Sequence, residues 1–261
     1  MNPTPDARPA ANLPTPAMRM PPDRETELDR LAARTRAASG LGIQLLNVVG
    51  GQAENLLDML PGGLRGRLEK ATLAALEHAA TAAAASRRGR LPDTSDLLTR
   101  ALTLGTGAAG GFGGVGSALA ELPVTVTVIL RGVMGIAAEH GFDPDDPEVR
   151  AACLRVLAAA GPMDDDDATD LSFLALRLSV TGPALQGMIA RVAPRLAVPL
   201  GQKLAAQSVP VLGAAAGAAC NWVFTSYYQE MARVQFGLMR LARETGEDEA
   251  ALLEALRRRL R

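Results

Sequence analysis

The chain is short of several residue types, and each shortage narrows what the protein can be. Aromatic residues make up only 3% of the 261, with one Trp, two Tyr and five Phe. β-branched runs are also rare, and Val124–Ile129 is the one clear case. Sandwiches and barrels need many such runs at regular spacing, so an all-β fold is excluded. The two cysteines, Cys153 and Cys220, exclude a disulfide scaffold and a Cys-based zinc cluster. The two histidines, His78 and His140, leave little material for a His-based metal site. The catalytic patterns H-E-x-x-H, G-x-S-x-G and S-x-x-K do not occur. A net charge of -1 argues against nucleic-acid binding by bulk charge. No metal, cofactor or nucleic-acid partner is therefore expected.

What remains is rich in helix formers. Hydrophobic residues reach 48% and charged residues 21%, and the basic residues are nearly all Arg, with Lys70 and Lys203 the only lysines. Ala, Leu and Arg favour helices. Residues 1–22 are rich in Pro and Ala and are read as a disordered tail; residues 23–261 are read as one helical domain. The tail lacks the charged start and apolar stretch of a secretory leader, so the expected location is the cytoplasm or the cytoplasmic face of the inner membrane.

Caps and breakers divide the domain into some ten helices. Asp23 caps a first helix to about Ala38, and a second runs from Leu41 to Leu60 before Pro61-Gly62-Gly63. Further helices are expected over Leu64–Ser86, Asp93–Leu104, Ser117–His140 and, capped by Asp143 or Asp146, to about Ala160. Asp164–Asp167 open a helix to about Val180, and the segment from Gly182 to Ala206 is interrupted by Pro194 and Pro199. Asn221–Thr245 is a long helix ended by Gly246, and Glu247–Arg261 is the last. The expected fold is all-α, a compact multi-helix domain with two Gly/Ala-rich buried helical hairpins.

Those hairpins rest on two small-residue stretches. Gly105, Gly107 and Gly110 satisfy G-x-G-x-x-G, but a dinucleotide site needs a preceding strand and an acid about twenty residues on. Leu97–Leu102 reads as helix and Glu121 falls too early. The spacings Gly107/Gly111, Gly110/Gly114 and Gly213/Gly217 suit packing instead, because glycines four apart line one helix face and let two backbones approach. Ala101–Ala120 and Leu204–Gln229 carry no charge, and both exceed the roughly eighteen residues that raise a transmembrane question. Buried hairpins and membrane-dipping hairpins are both compatible with them, while the mean hydropathy of +0.10 is low for a polytopic protein.

The segment Gly110-Gly-Phe-Gly-Gly-Val-Gly-Ser-Ala-Leu-Ala-Glu-Leu-Pro123 resembles a signature of the EcsC family. So do Arg131-Gly-Val-Met-Gly-Ile-Ala-Ala-Glu-His-Gly141, the run from Asp146 to Leu154, and Val209-Pro-Val-Leu-Gly-Ala-Ala-Ala-Gly-Ala-Ala-Cys-Asn221. The resemblance spans roughly residues 25–245. It implies an α-helical, hydrophobic, membrane-associated protein, its founding members being encoded beside a bacterial ABC-type exporter. It supplies no catalytic residue. Where family members often carry His before the last Phe, this chain has Gln235, which argues against a His-based catalyst there.

Six polar residues in apolar settings are the candidate ligand or partner contacts. Glu121 lies between apolar neighbours and needs a partner or a proton if buried. Arg131 is ten residues on, about 80° round an ideal helix, and is one such partner. Asn221, Thr225, Tyr228 and Gln235 fall near one face of the long helix. Each set reads either as a satisfied buried network or as a binding site. The Arg257–Arg261 cluster suits a helix end, or anionic lipid. The expected function is a non-enzymatic lipid- or membrane-protein-binding role; the alternatives are a lipid or peptide hydrolase with Glu121 as acid-base group, and a soluble domain for an apolar ligand.

Overall fold

In the computed structural model, which describes residues 23–49, 63–88, 114–159, 161–162, 171–175, 184–207 and 213–261, every described element is helical. The elements are α1 (Arg24–Val49), α2 (Leu64–Arg88), α3 (Gly114–Glu139), α4 (Pro147–Val156), a 3-10 turn (Ser172–Ala175), α5 (Ala184–Gln207), α6 (Gly213–Thr245) and α7 (Glu249–Leu260). The N-terminal tail, the expected helix over Asp93–Leu104, the Asp164–Asp167 run, and Gly107, Gly110 and Gly111 lie outside the described residues. So does the turn of each expected glycine hairpin.

The expected caps form. Asp23 accepts from the Thr26 amide at 3.2 Å and from its hydroxyl at 2.9 Å. The Asp146 carboxylate accepts from the Glu148 amide at 2.7 Å and starts α4. Gly246 takes φ +72° and its N–H reaches the Ala242 carbonyl at 2.9 Å, which ends α6. A left-handed residue there is the usual glycine stop.

Several expected breaks and helix ends are absent or moved. Gly40 does not divide α1, which continues to Val49; helical glycine costs only about 1 kcal/mol, which packing overrides. Pro194 and Pro199 do not interrupt α5. Their missing N–H groups leave the Ala190 and Arg195 carbonyls without helical donors, and both residues are exposed, where an unpaired carbonyl is not costly. Residues 172–175 form a single 3-10 turn rather than part of a helix to Val180, and α4 stops at Val156 rather than near Ala160. Beyond Val156 the chain tightens into i→i−3 bonds, Ala158 to Arg155 at 2.9 Å and Ala159 to Val156 at 3.1 Å. Gly161 then turns with φ +101°, so close to α5 that a Cβ on it would lie 2.4 Å from Pro199 Cβ.

α3 is the central element and touches α2, α4, α5 and α6. Leu122, Val126, Ile129, Val133 and Ile136 recur at alternating spacings of four and three and are all buried. Full burial of each such side chain is worth roughly 1.5–3 kcal/mol. The Leu122–Glu139 part of α3 is long and apolar enough to cross a membrane, and 56% of it is buried against its neighbours. α1 and α6 run antiparallel: Arg24 pairs with Glu247, Glu27 with Arg240 and Arg34 with Glu230. α7 folds back on α1, where Arg259 holds Asp29 at 2.8 Å and also pairs with Glu25.

Candidate functional site

The four polar residues expected on one face of the long helix are all on α6 and all buried: Asn221, Thr225, Tyr228 and Gln235. They do not form one polar cluster. Gln235 lies towards α7, and its amide donates to the Glu249 carboxylate at 3.2 Å. The Thr225 and Tyr228 hydroxyls have no hydrogen-bond partner among the described residues. Burial pushes the Tyr228 hydroxyl well above its ordinary pKa, and the adjacent Tyr227 acts in the same direction. The two rings stack edge to face with centroids 5.3 Å apart.

Ser226, Tyr227 and Gln229 are buried as well, so the polar collar surrounds α6 at this level. A single-face reading misses them because α6 touches α1, α3, α4, α5 and α7, leaving it little solvent side here. Two more residues escaped the sequence reading, Gln202 and Lys203 on α5, exposed by 7% and 1%. Lys203 lies on the buried side of α5 with Val192, Leu196 and Ile189. Its charge reaches Cys220 on α6, but burial dominates and pushes that thiol up to about 11. Cys153 is likewise buried and carries no disulfide. Both cysteines thus fit inert core thiols.

Arg131 is half-buried on α3, and Glu121 lies ten residues earlier on the same helix. The Glu121 side chain is outside the described residues, so the expected Glu121–Arg131 pair is outside them too. Gly114 and Gly213 are the first residues of α3 and α6, and Gly217 lies in the first turns of α6. Among the glycines whose surroundings are described, Gly161 meets Pro199 closely and Gly237 meets Leu31.

His140 ends α3 with its Nδ1 at 2.8 Å from the Ile136 carbonyl. Desolvation lowers its pKa, against that hydrogen bond, and the Arg240 and Arg34 charges add to the lowering. The helix-end histidine is therefore held towards the neutral form, although a helix C-terminus favours the cation. No group of three or more His, Cys, Asp or Glu side chains among the described residues is placed to hold a metal ion. Cys220 and Tyr228, whose pKa values burial raises, retain their protons at neutral pH.

The outer surface of α5 has a different character. Gly187, Ala190, Arg191, Pro194, Arg195 and Val198 are exposed along its first turns, and α5 contains no acidic residue. Val198 on α5 and Val124 on α3 are the large hydrophobic side chains exposed among the described residues, at 43% and 48%. The basic cluster at the end of α7 is partly spent within the fold: Arg259 binds the α1 acids, and Arg257 pairs with Glu254.

No curated protein and no solved structure matches this chain. A family match covers the glycine-rich entry to α3, all of α4 and α5, and most of α6. The chain belongs to the EcsC protein family, which it matches over residues 66–241.

Proposed function

We propose that the protein acts without catalysis, as a helical protein that docks to the cytoplasmic face of a bacterial inner membrane and binds anionic lipid there. The observation that carries this reading is the outer face of α5, where Arg191 and Arg195 flank exposed Ala190, Pro194 and Val198 with no acidic residue on the helix. Basic side chains among small apolar ones suit a lipid surface: the cations meet phosphate headgroups and the apolar groups sink to the acyl boundary. Each arginine contributes about 1 kcal/mol at an anionic surface, so docking through this face is weak and salt-sensitive. A membrane-embedded exporter subunit is the protein partner that the family suggests.

Co-sedimentation with vesicles tests the reading. The intact chain is expected to pellet with phosphatidylcholine vesicles containing phosphatidylglycerol and to be released by salt. Arg191→Gln with Arg195→Gln is expected to remove most of that binding while leaving the helical circular dichroism unchanged. Equal binding to pure phosphatidylcholine, or none to either, would overturn the reading. Resistance to salt and carbonate with release only by detergent would replace surface docking with insertion.

A further inference from the structure

A cavity of about 310 Å³ opens between α4, the 3-10 turn and the start of α7, and no residue of α5 is among its walls. Its size lies at the low end of small-molecule sites, which run to about 300–1,000 Å³. Arg155, Leu174, Asp248, Glu249, Leu253 and Arg257 are among its walls. Three features leave it chemically incomplete. The Arg155 Nε is buried and makes no hydrogen bond to a described residue. Burial lowers the Arg155 pKa despite the attraction of Glu249. Asp248, the N-cap of α7, makes no side-chain capping bond and lines the cavity.

The third feature lies behind the wall. Gln235 is fully buried, and its amide nitrogen is committed to Glu249. Its carbonyl oxygen accepts no hydrogen bond from a described residue. Arg257 needs no anion from outside, since Glu254 and the Leu171 carbonyl engage it. The cavity therefore presents the Arg155 guanidinium, with its Nε unbonded, beside carboxylates at Asp248 and Glu249, the latter backed by Gln235. A simple anion would face Asp248, Glu249 and Glu254, and a simple cation would face Arg155. A small molecule with both charges meets both needs.

We propose that this cavity binds a free α-amino acid, its carboxylate on the Arg155 guanidinium and its ammonium on Asp248 and Glu249. A planar guanidinium takes a carboxylate through two parallel bonds, which sets the orientation. Leu174 and Leu253 leave an apolar wall for the side chain. The site goes beyond the membrane-docking reading and works without a membrane.

The experiment is isothermal titration of the full-length protein with the common free L-α-amino acids, each beside its N-acetyl and carboxamide forms. At least one free amino acid is expected to bind, and blocking either charge is expected to weaken it at least about tenfold, the effect of losing one good polar contact. Arg155→Met is expected to abolish binding while leaving the helical circular dichroism unchanged. Glu249→Gln is expected to weaken the free amino acid and leave the carboxamide-to-acid preference intact. Absence of binding at millimolar concentration, blocked forms that bind as well as free ones, or an Arg155→Met variant that binds like the parent would each overturn the proposal.

Discussion

Gly237 on α6 faces Leu31 on α1 so closely that a Cβ at residue 237 would lie 2.7 Å from Leu31 Cδ2. Leu31 is itself 2% exposed, so its side chain has little room to withdraw. The helix pair that carries two ion pairs between α1 and α6, Arg34–Glu230 and Glu27–Arg240, is thus drawn together at a glycine.

Gly237→Ala is expected to destabilise the protein. Overpacking a core contact costs about 1–3 kcal/mol. The better helix propensity of Ala returns up to about 1 kcal/mol. Gly135→Ala on α3 is the control, because nothing stands within 4 Å of a Cβ built there. It is expected to raise stability by up to about 1 kcal/mol, as propensity alone dictates. Urea denaturation of the two variants checks both signs; a stabilised Gly237→Ala would refute the close-packing account.

Glu27 is 3% exposed and joins α1 to α6 by holding Arg240 at 2.9 Å and Arg30 at 2.8 Å. Glu27→Gln removes the charge that compensates two guanidinium groups. The expected loss is about 1–3 kcal/mol, the range for hydrogen bonds made by a charged group. Asp29→Asn, at the exposed pair with Arg259, is expected to change stability by under about 1 kcal/mol. Thermal melts of the two variants side by side measure the difference, and equal effects would contradict it.

Burial raises the Cys220 thiol from near 9.0 to about 11. The fold therefore holds its proton more tightly than the unfolded chain does. That contribution is fully present below pH 9 and is lost as pH rises towards 11. The stability advantage of the parent over Cys220→Ala is expected to shrink by about 2–3 kcal/mol across that window. Denaturation curves for both proteins from pH 8 to pH 11 test the sign. Iodoacetamide at pH 8 is expected to label neither Cys153 nor Cys220 until the protein unfolds, both being buried.

The Tyr228 hydroxyl is fully buried and meets no partner among the described residues. Tyr228→Phe is expected to leave stability unchanged or raise it by up to about 1 kcal/mol, since no bond is lost and a desolvated hydroxyl is removed. Guanidinium denaturation reads the effect. A loss above about 1 kcal/mol would mean that the hydroxyl is hydrogen-bonded in the folded protein.

Much of this was legible along the chain. Ala, Leu and Arg in helical patterns imply an all-α domain, and Asp23, Asp146 and Gly246 mark helix ends because capping needs only neighbours in sequence. The glycine-rich signatures carried the family. The inward stripe Asn221, Thr225, Tyr228 and Gln235 was also readable, because residues four and seven apart share a helix face.

Other features depend on which helices meet. Gly40, Pro194 and Pro199 are local breakers, yet α1 and α5 pass through them, because contacts with neighbouring helices outweigh a local preference of a few kcal/mol. Lys203 reads as a solvated residue by its chemistry and is buried because α5 turns that side towards α2, α3, α4 and α6. Arg155, Gln235 and Glu249 are separated in sequence by 80 and 14 positions, and only the approach of α4 to α6 and α7 makes them one neighbourhood. Propensity and capping act within a few residues and so can be read along a chain. Desolvation and charge compensation depend on distance in space, and the packing of the helices sets those distances.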